Sequence, residues 1–249
     1  ARADINGDNV ADTIVGAGPG GTPWIAAFNG ATQALIGNVL AFEPSYTGGV
    51  NVAAGDITGD GIPELVAGAS TGAPRVRIFN ARTGAVLFDF VALSAAGVNG
   101  VQVAVGDVNA DGLGDLIVGA GPGGAPQVRV YDARTGAVLH DFQAFPADFR
   151  GGVFVAAGDL NGDGRADIVT GAGAGGAPQV RAFNGVSGAV IRDFFAFDTA
   201  FRGGVRVASA DLNADGQAEI VAGAGPGGAP QVKVFHLSLI HISEPTRPY

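Results

Sequence analysis

Asp159-Leu160-Asn161-Gly162-Asp163-Gly164-Arg165-Ala166-Asp167 is the stretch on which the reading of this chain turns. Its pattern is D-x-N-x-D-G-x-x-D. Positions one, three, five and nine carry side-chain oxygens that can converge on one hard cation, and the backbone carbonyl of position seven can join them. Glycine at position six lets the chain turn sharply around the ion.

The pattern recurs. Counting this copy, the nonapeptides begin at Asp4, Asp56, Asp107, Asp159 and Asp211, with spacings of 52, 51, 52 and 52 residues. A fixed period of this size marks a repeat architecture. Copy one offers Asp4, Asn6, Asp8 and Asp12, with Asn9 in the glycine slot. Copy two offers Asp56, Thr58, Asp60 and Glu64, and copy three Asp107, Asn109, Asp111 and Asp115. Copy four is Asp159, Asn161, Asp163 and Asp167, and copy five Asp211, Asn213, Asp215 and Glu219. The backbone carbonyls would come from Val10, Ile62, Leu113, Arg165 and Gln217. One such segment reads as well as an ordinary turn, since Asp, Asn and Gly are turn residues. Five in register read as metal loops, because clustered carboxylates repel unless a cation lies between them.

The totals agree. The formal charge is −9, and 15 of the 23 Asp and Glu residues sit in the five loops, so the acidity reads as ligand charge. Nucleic acid needs a basic face and is not an expected partner. The chain has no cysteine, which removes disulfides, thiolate catalysis and zinc-thiolate sites. No apolar run approaches the ~18 residues of a membrane span, so no membrane insertion is expected. The 43 glycines follow no G-X-Y period.

Within the unit 152–203, short apolar runs alternate with turns. Val153 to Ala157 reads as a strand leading into the loop, and Asp167 to Gly171 as a strand leaving it. Gln179 to Phe183 and Ala189 to Phe194 follow, joined by a hairpin turn at Asn184 to Gly188. Four short antiparallel strands in about 50 residues make one propeller blade. No capped 3.6-residue apolar period appears, so no helix is expected. The fold expected is all-β, a β-propeller of four-stranded antiparallel blades with about five blades present. The units are 1–49, 50–100, 101–151, 152–203 and 204–236, the first and last partial with three strands each. The chain opens inside a repeat and without Met, which predicts a cut end.

The run Val-x-Val-Ala-x-Gly-Asp-x-Asn-Gly-Asp-Gly-x-x-Asp-Ile-Val-x-Gly-Ala-Gly resembles the FG-GAP/VCBS repeats of integrin α-subunit-like propellers and bacterial surface proteins. The resemblance covers residues 1 to 236. It implies structural Ca²⁺, up to five ions, and a ring that in the family usually has seven blades. Where integrin-type strands end in Gly-Ala-Pro, this chain has Gly-Ala-Gly at Gly119, Gly171 and Gly223. That departure fits the bacterial branch.

Other motifs read as scaffold. Gly16 to Gly21, Gly119 to Gly124, Gly171 to Gly176 and Gly223 to Gly228 satisfy G-x-G-x-x-G. A dinucleotide site needs a helix directly afterwards; Pro and β-alternation follow here, so these read as hairpin turns. His140 is expected to face solvent. Asp89, Asp141 and Asp193 recur beside phenylalanines and read as blade-to-blade acceptors. Arg150 and Arg202, aligned with Thr47, read as salt-bridge formers or as a ring that meets an acidic partner. Phe42, Phe145 and Phe197 read as inter-blade packing. Neither a Ser-His-acid triad nor a unique carboxylate pair recurs, so no enzyme is expected. Residues 237–249 break the repeat and resemble a translated sequencing-library adaptor, which predicts a non-native tail.

The function expected is a calcium-stabilised binding or adhesion module with a protein ligand; the alternatives are a lectin-like, carbohydrate-binding propeller and, behind it, a polysaccharide-degrading enzyme domain. Trp24 is a weak pointer to a lectin. Extracellular-type sites bind Ca²⁺ at about 10⁻⁴ to 10⁻³ M, which places the module outside the cell, at the surface or in the periplasm.

Overall fold

The computed structural model describes residues 1–94 and 96–237. Residues 238–249, nearly all of the expected tail, lie outside the described part. Among the described residues there is no helix; every regular element is a strand.

Alternating valines and β-branched runs build five antiparallel meanders. The first sheet holds β1 (Arg2–Ala3), β2 (Asp12–Gly16), β3 (Trp24–Phe28) and β4 (Leu35–Leu40). The second holds β5 (Val50–Gly55), β6 (Glu64–Ala69), β7 (Arg75–Phe79) and β8 (Val86–Val91). The third holds β9 (Val101–Gly106), β10 (Asp115–Ala120), β11 (Gln127–Tyr131) and β12 (Val138–Gln143). The fourth holds β13 (Val153–Gly158), β14 (Asp167–Ala172), β15 (Gln179–Phe183) and β16 (Val190–Phe195). The fifth holds β17 (Val205–Ala210), β18 (Glu219–Ala224) and β19 (Val232–Phe235). The expected three-strand first unit gains a fourth, because Arg2 and Ala3 pair with Thr13 and Asp12.

The sheets are blades of a propeller. The lead strands β5, β9, β13 and β17 contact one another in turn, so they form the inner wall. The core is divided into four layers, each between two blades. Ile14 and Phe42 meet Leu65 and Phe79, and Val66 and Ile78 meet Leu116 and Val118. Ile117 and Val130 meet Ile168 and Phe183, and Val169 and Ala182 meet Ile220 and Ala222. Phe42, Phe145 and Phe197 lie in these layers, as their recurrence suggested.

Glycines set how closely blades approach. A Cβ on Gly16, Gly119 or Gly171 would lie 2.2, 2.5 or 2.3 Å from the first carbonyl of the next blade's lead strand. Among the described residues nothing lies within 4 Å of a Cβ at the equivalent Gly223. The fifth blade's far flank is correspondingly uncovered: Leu212 is 58% exposed, where Leu160 in the same loop position is 0% exposed.

Charged straps tie blades together, in a way that corrects the blade-to-blade reading of the recurring acids. Asp89, Asp141 and Asp193 accept from Arg77, Arg129 and Arg181 on the neighbouring strand of their own blade. It is the arginine that crosses: Arg77, Arg129 and Arg181 donate to the carbonyls of Ala41, Ala92 and Ala144 in the preceding blade. Arg77 and Arg181 also lie over the rings of Phe42 and Phe145. In the second blade Arg75 and Arg77 bind both Asp89 and Glu43. The Arg75 guanidinium, aided by Arg77, holds Asp89 down to about 2 from an ordinary 3.8. A depressed carboxylate contributes its stability above the unfolded value and loses it as pH falls through the folded one. Asp89→Asn is therefore expected to cost about 0.5–1 kcal/mol at neutral pH, with the gap to wild type closing between pH 4 and about 2. Denaturant melts at stepped pH check this; a gap that is constant across that window refutes it.

Candidate cation loops

The β1–β2, β5–β6, β9–β10, β13–β14 and β17–β18 connections are the five acidic nonapeptides, all at one end of the propeller. The hairpin turns between the third and fourth strands share that end. Each loop is wound by its own acids. In the fourth, Asp159 accepts from the N–H groups of Gly162 and Gly164, both at 2.7 Å. Asn161 accepts from the Asp163 N–H at 2.9 Å, and Asp163 from the Arg165 N–H at 3.0 Å. The position-one pair recurs at Asp4, Asp56 and Asp211, and in part at Asp107. The position-five bond recurs at Asp8, Asp60, Asp111 and Asp215.

Two turns of left-handed backbone make this winding possible. Position six is left-handed in every copy, including Asn9 at φ 63°, so Asn performs there what glycine performs elsewhere. Position four is left-handed as well: Gly7, Gly59 and Gly162, and also Ala110 at φ 60° and Ala214 at φ 62°. The sequence reading missed this second requirement; glycine in three of the five copies was its signal.

Position nine is the anchor. Asp12, Asp115 and Asp167 are 0% exposed, as is Glu64, and Glu219 is 4% exposed. Each accepts from the backbone N–H of position two, at Ile5, Ile57, Val108, Leu160 and Leu212. The three aspartates also accept from the hairpin turn, at Gly30, Ala133 and Gly185. Burial pushes Glu64, Asp115 and Asp167 above the usual carboxylate range, while those N–H donors pull the other way. A cation would favour the charged form.

Positions three, five and nine draw together most clearly in loops one and five. The Asn6 amide donates to Asp8 at 3.1 Å and to Asp12 at 3.3 Å. The Asn213 amide donates to Asp215 at 3.0 Å and to Glu219 at 3.1 Å. In both loops two carboxylates thus point at one place, which a polar N–H group occupies. In loop three Arg134 reaches Asp111 instead, at 3.0 Å. The first residue of the hairpin turn also belongs to the site, which the sequence reading did not include. Asn29 donates to Asp8 at 2.7 Å, Asp132 accepts from Asn109 at 2.9 Å, and His236 lies 3.0 Å from Asp215.

Successive loops are joined directly. The position-eight N–H groups of Gly114, Ala166 and Ala218 donate to the carbonyls of Asp56, Asp107 and Asp159 in the preceding loop, at 2.6, 2.7 and 2.6 Å. Pro63 holds that position in loop two and has no N–H to give.

At the opposite end the glycine-rich connections run into strands β3, β11, β15 and β19, and no helix N-terminus follows them. Gly20, Gly123 and Gly175 donate to the backbone carbonyls of Thr47, Arg150 and Arg202. A backbone contact explains why Thr can fill that slot. Among the described residues the arginine side chains form no salt bridge, contrary to the reading of them as salt-bridge formers; Arg150 binds the carbonyls of Ala147 and Phe149, and Arg202 those of Thr199 and Phe201. A cleft of ≈ 610 Å³ lies here, lined by Phe145, Asp148, Phe149, Arg150, Gly175 and Gln179 among others. Trp24 is 41% exposed. His140 is half-buried, not solvent-facing; its Nε2 lies 2.5 Å from the Gly185 carbonyl of the next blade.

Residues 4–67 and 107–170 match the FG-GAP-like repeat, and 48–88 and 151–191 match the FG-GAP repeat. Integrin alpha-8 of Gallus gallus is 36% identical over 172 residues, which is 61% of this chain and 16% of that protein. Human integrin alpha-8 is 35% identical over 148 residues, 53% of this chain and 14% of its own length. The chain therefore spans only a small part of these relatives. The solved rhamnogalacturonan lyase YesX aligns with a TM-score of 0.51 at 16% identity, over 94% of this chain and 54% of that one, a likeness of fold. The Bacillus licheniformis rhamnogalacturonan lyase aligns equally well, at 0.51 and 17% identity. Wound acidic loops at one end of every blade, together with repeats that match over half the chain, make this protein a member of the FG-GAP repeat family.

Proposed function

We propose that the chain is a calcium-stabilised, non-enzymatic binding module that works outside the cytoplasm and takes a protein ligand. The observation that carries the calcium reading is the inward turn of oxygen side chains in five loops of one register, with carboxylates from positions five and nine directed at a common point in loops one and five. Asp4, Asn6, Asp8 and Asp12 and their counterparts would hold the ion, with the position-seven carbonyls. The loops lack the flanking helices and the position-twelve Glu of an EF-hand, so the ion would brace a hairpin and not trigger an opening. Sites of the extracellular class fill only where calcium is millimolar.

The ligand face in this reading is the end away from the loops. There the Arg150 and Arg202 side chains have no carboxylate partner among the described residues, and the cleft beside Phe149 is open. That arrangement suits an acidic protein segment. Exposed Trp24 favours a glycan as the alternative ligand.

Calcium at one hundred times the dissociation constant stabilises by about 2.7 kcal/mol for each filled site. At sites of about 10⁻⁴ to 10⁻³ M, ten millimolar Ca²⁺ is ten to one hundred times the dissociation constant, so it is expected to raise the melting temperature by roughly 3–10 °C over chelator for a single filled site. Identical melts in the two buffers would sink the reading.

A further inference from the structure

The fifth loop differs from its siblings at one atom type. In the first four units the residue that opens the hairpin turn is Asn29, Asn80, Asp132 or Asn184, each able to offer oxygen. In the fifth it is His236, directly after β19. Its Nε2 lies 3.0 Å from Asp215 Oδ2 and 3.6 Å from Glu219 Oε1. Ligand atoms of Asp215, Glu219 and His236 all fall within 4.8 Å of one another, and among the described residues no other group of three His, Cys, Asp or Glu does so. We propose that these three residues form a site for a divalent transition metal of the Zn²⁺ class, distinct from the oxygen-only loops.

Two of the three ligand spacings already suit the ion, once the Asn213 amide swings aside. Bonds of ~2.1 Å to nitrogen and oxygen put the corners of a zinc tetrahedron roughly 3.4 Å apart. Both contacts of His236 lie close to that edge. The Asn213 amide is an independent sign that the acids converge: it donates to the same two carboxylate oxygens, so a polar hydrogen already lies between them. In loop one the Asn29 amide meets Asp8 from the same turn position, so a side chain in that slot reaches the acids of its loop.

The chemistry then selects the metal. Ca²⁺ takes oxygen ligands, whereas imidazole suits Zn²⁺, Ni²⁺ and Cu²⁺. Glu219 is 5% exposed in its side chain and His236 16%, while Asp215 is 40% exposed. The buried pair would hold the ion, and the exposed aspartate would leave one side open to solvent. This inference takes loop five out of the calcium set and shares with the calcium reading its use of positions five and nine and the convergence that the Asn213 amide marks.

The test is calorimetric titration of the chelator-stripped full chain with Zn²⁺ and, separately, with Ca²⁺, beside a Co²⁺ titration followed by its visible ligand-field band. Wild type should take one Zn²⁺ equivalent and give a tetrahedral Co²⁺ band. Loss of an outer-shell partner alone weakens metal sites by about 10–100-fold, so His236→Asn should weaken Zn²⁺ at least as much and abolish the band. Asn stands in the same slot of three sibling units, so this variant keeps the fold, and an unchanged melt verifies it. No zinc binding by wild type overturns the proposal. So does equal binding by wild type and His236→Asn, which would place the metal on other groups. Calcium binding without zinc defeats this inference and leaves the calcium reading standing; one tight zinc without any calcium response does the reverse.

Discussion

Gly171→Ala is expected to lower the melting temperature by roughly 10 °C, while Gly223→Ala at the same place in the next blade leaves it nearly unchanged. A Cβ on Gly171 would meet the Val205 carbonyl at 2.3 Å and a Val207 methyl at 2.9 Å. The carbonyl belongs to β17, whose own ladder to β18 fixes it. Backbone has little freedom to give way, so the blades must part and the layer of Val169, Ala182, Ile220 and Ala222 opens with them. Overpacking typically costs about 1–3 kcal/mol, here at the upper end because the clash is with backbone, and ~2–4 °C accompanies each kcal/mol in a chain of this size. Among the described residues no atom lies within 4 Å of a Cβ added at Gly223, so the paired variant separates the clash from any general intolerance of alanine in this strand. Equal melts for the two variants would contradict the blade contact.

The second large effect is expected at Asp167, and it should survive the removal of every metal ion. Its two oxygens accept from the buried N–H groups of Leu160 at 3.1 Å and Gly185 at 3.0 Å. Alanine leaves both donors unpaired, at about 1–3 kcal/mol each. Asp167→Ala should thus lose about 3 kcal/mol in chelator, read as a drop of roughly 6–12 °C. Asp163→Ala is the contrast: among the described residues its position-five carboxylate holds only the exposed Arg165 N–H. That variant should melt close to wild type in chelator and lose part of the stabilisation that calcium supplies. If both variants lost stability only when calcium was present, position nine would be a ligand and not an anchor.

The two acids carry different weight for a reason the sequence does not display. Positions five and nine look alike as letters, since both are oxygen-bearing and both recur. What separates them is the strand that follows. Asp167 begins β14 and is carried inward with it, while Asp163 stays on the outer curve of the loop. The same contrast holds for Asp89, Asp141 and Asp193. Their recurrence announced structure, but only the cross-strand register with Arg77, Arg129 and Arg181 showed that each acid serves its own blade and that the arginine spans to the neighbour.

The nonapeptide at Asp159 and its four copies were enough to establish the period, the all-β class, the blade of four strands and the place of the acidic loops, because turn chemistry and two-residue alternation are local properties written along the chain. The turn residue that leans into each loop, the crossing arginines and the carbonyl that faces Gly171 became visible only with the blades assembled. Each depends on atoms some 20 to 50 residues apart in sequence, and such distances are set by how sheets pack, not by the residues of any one segment.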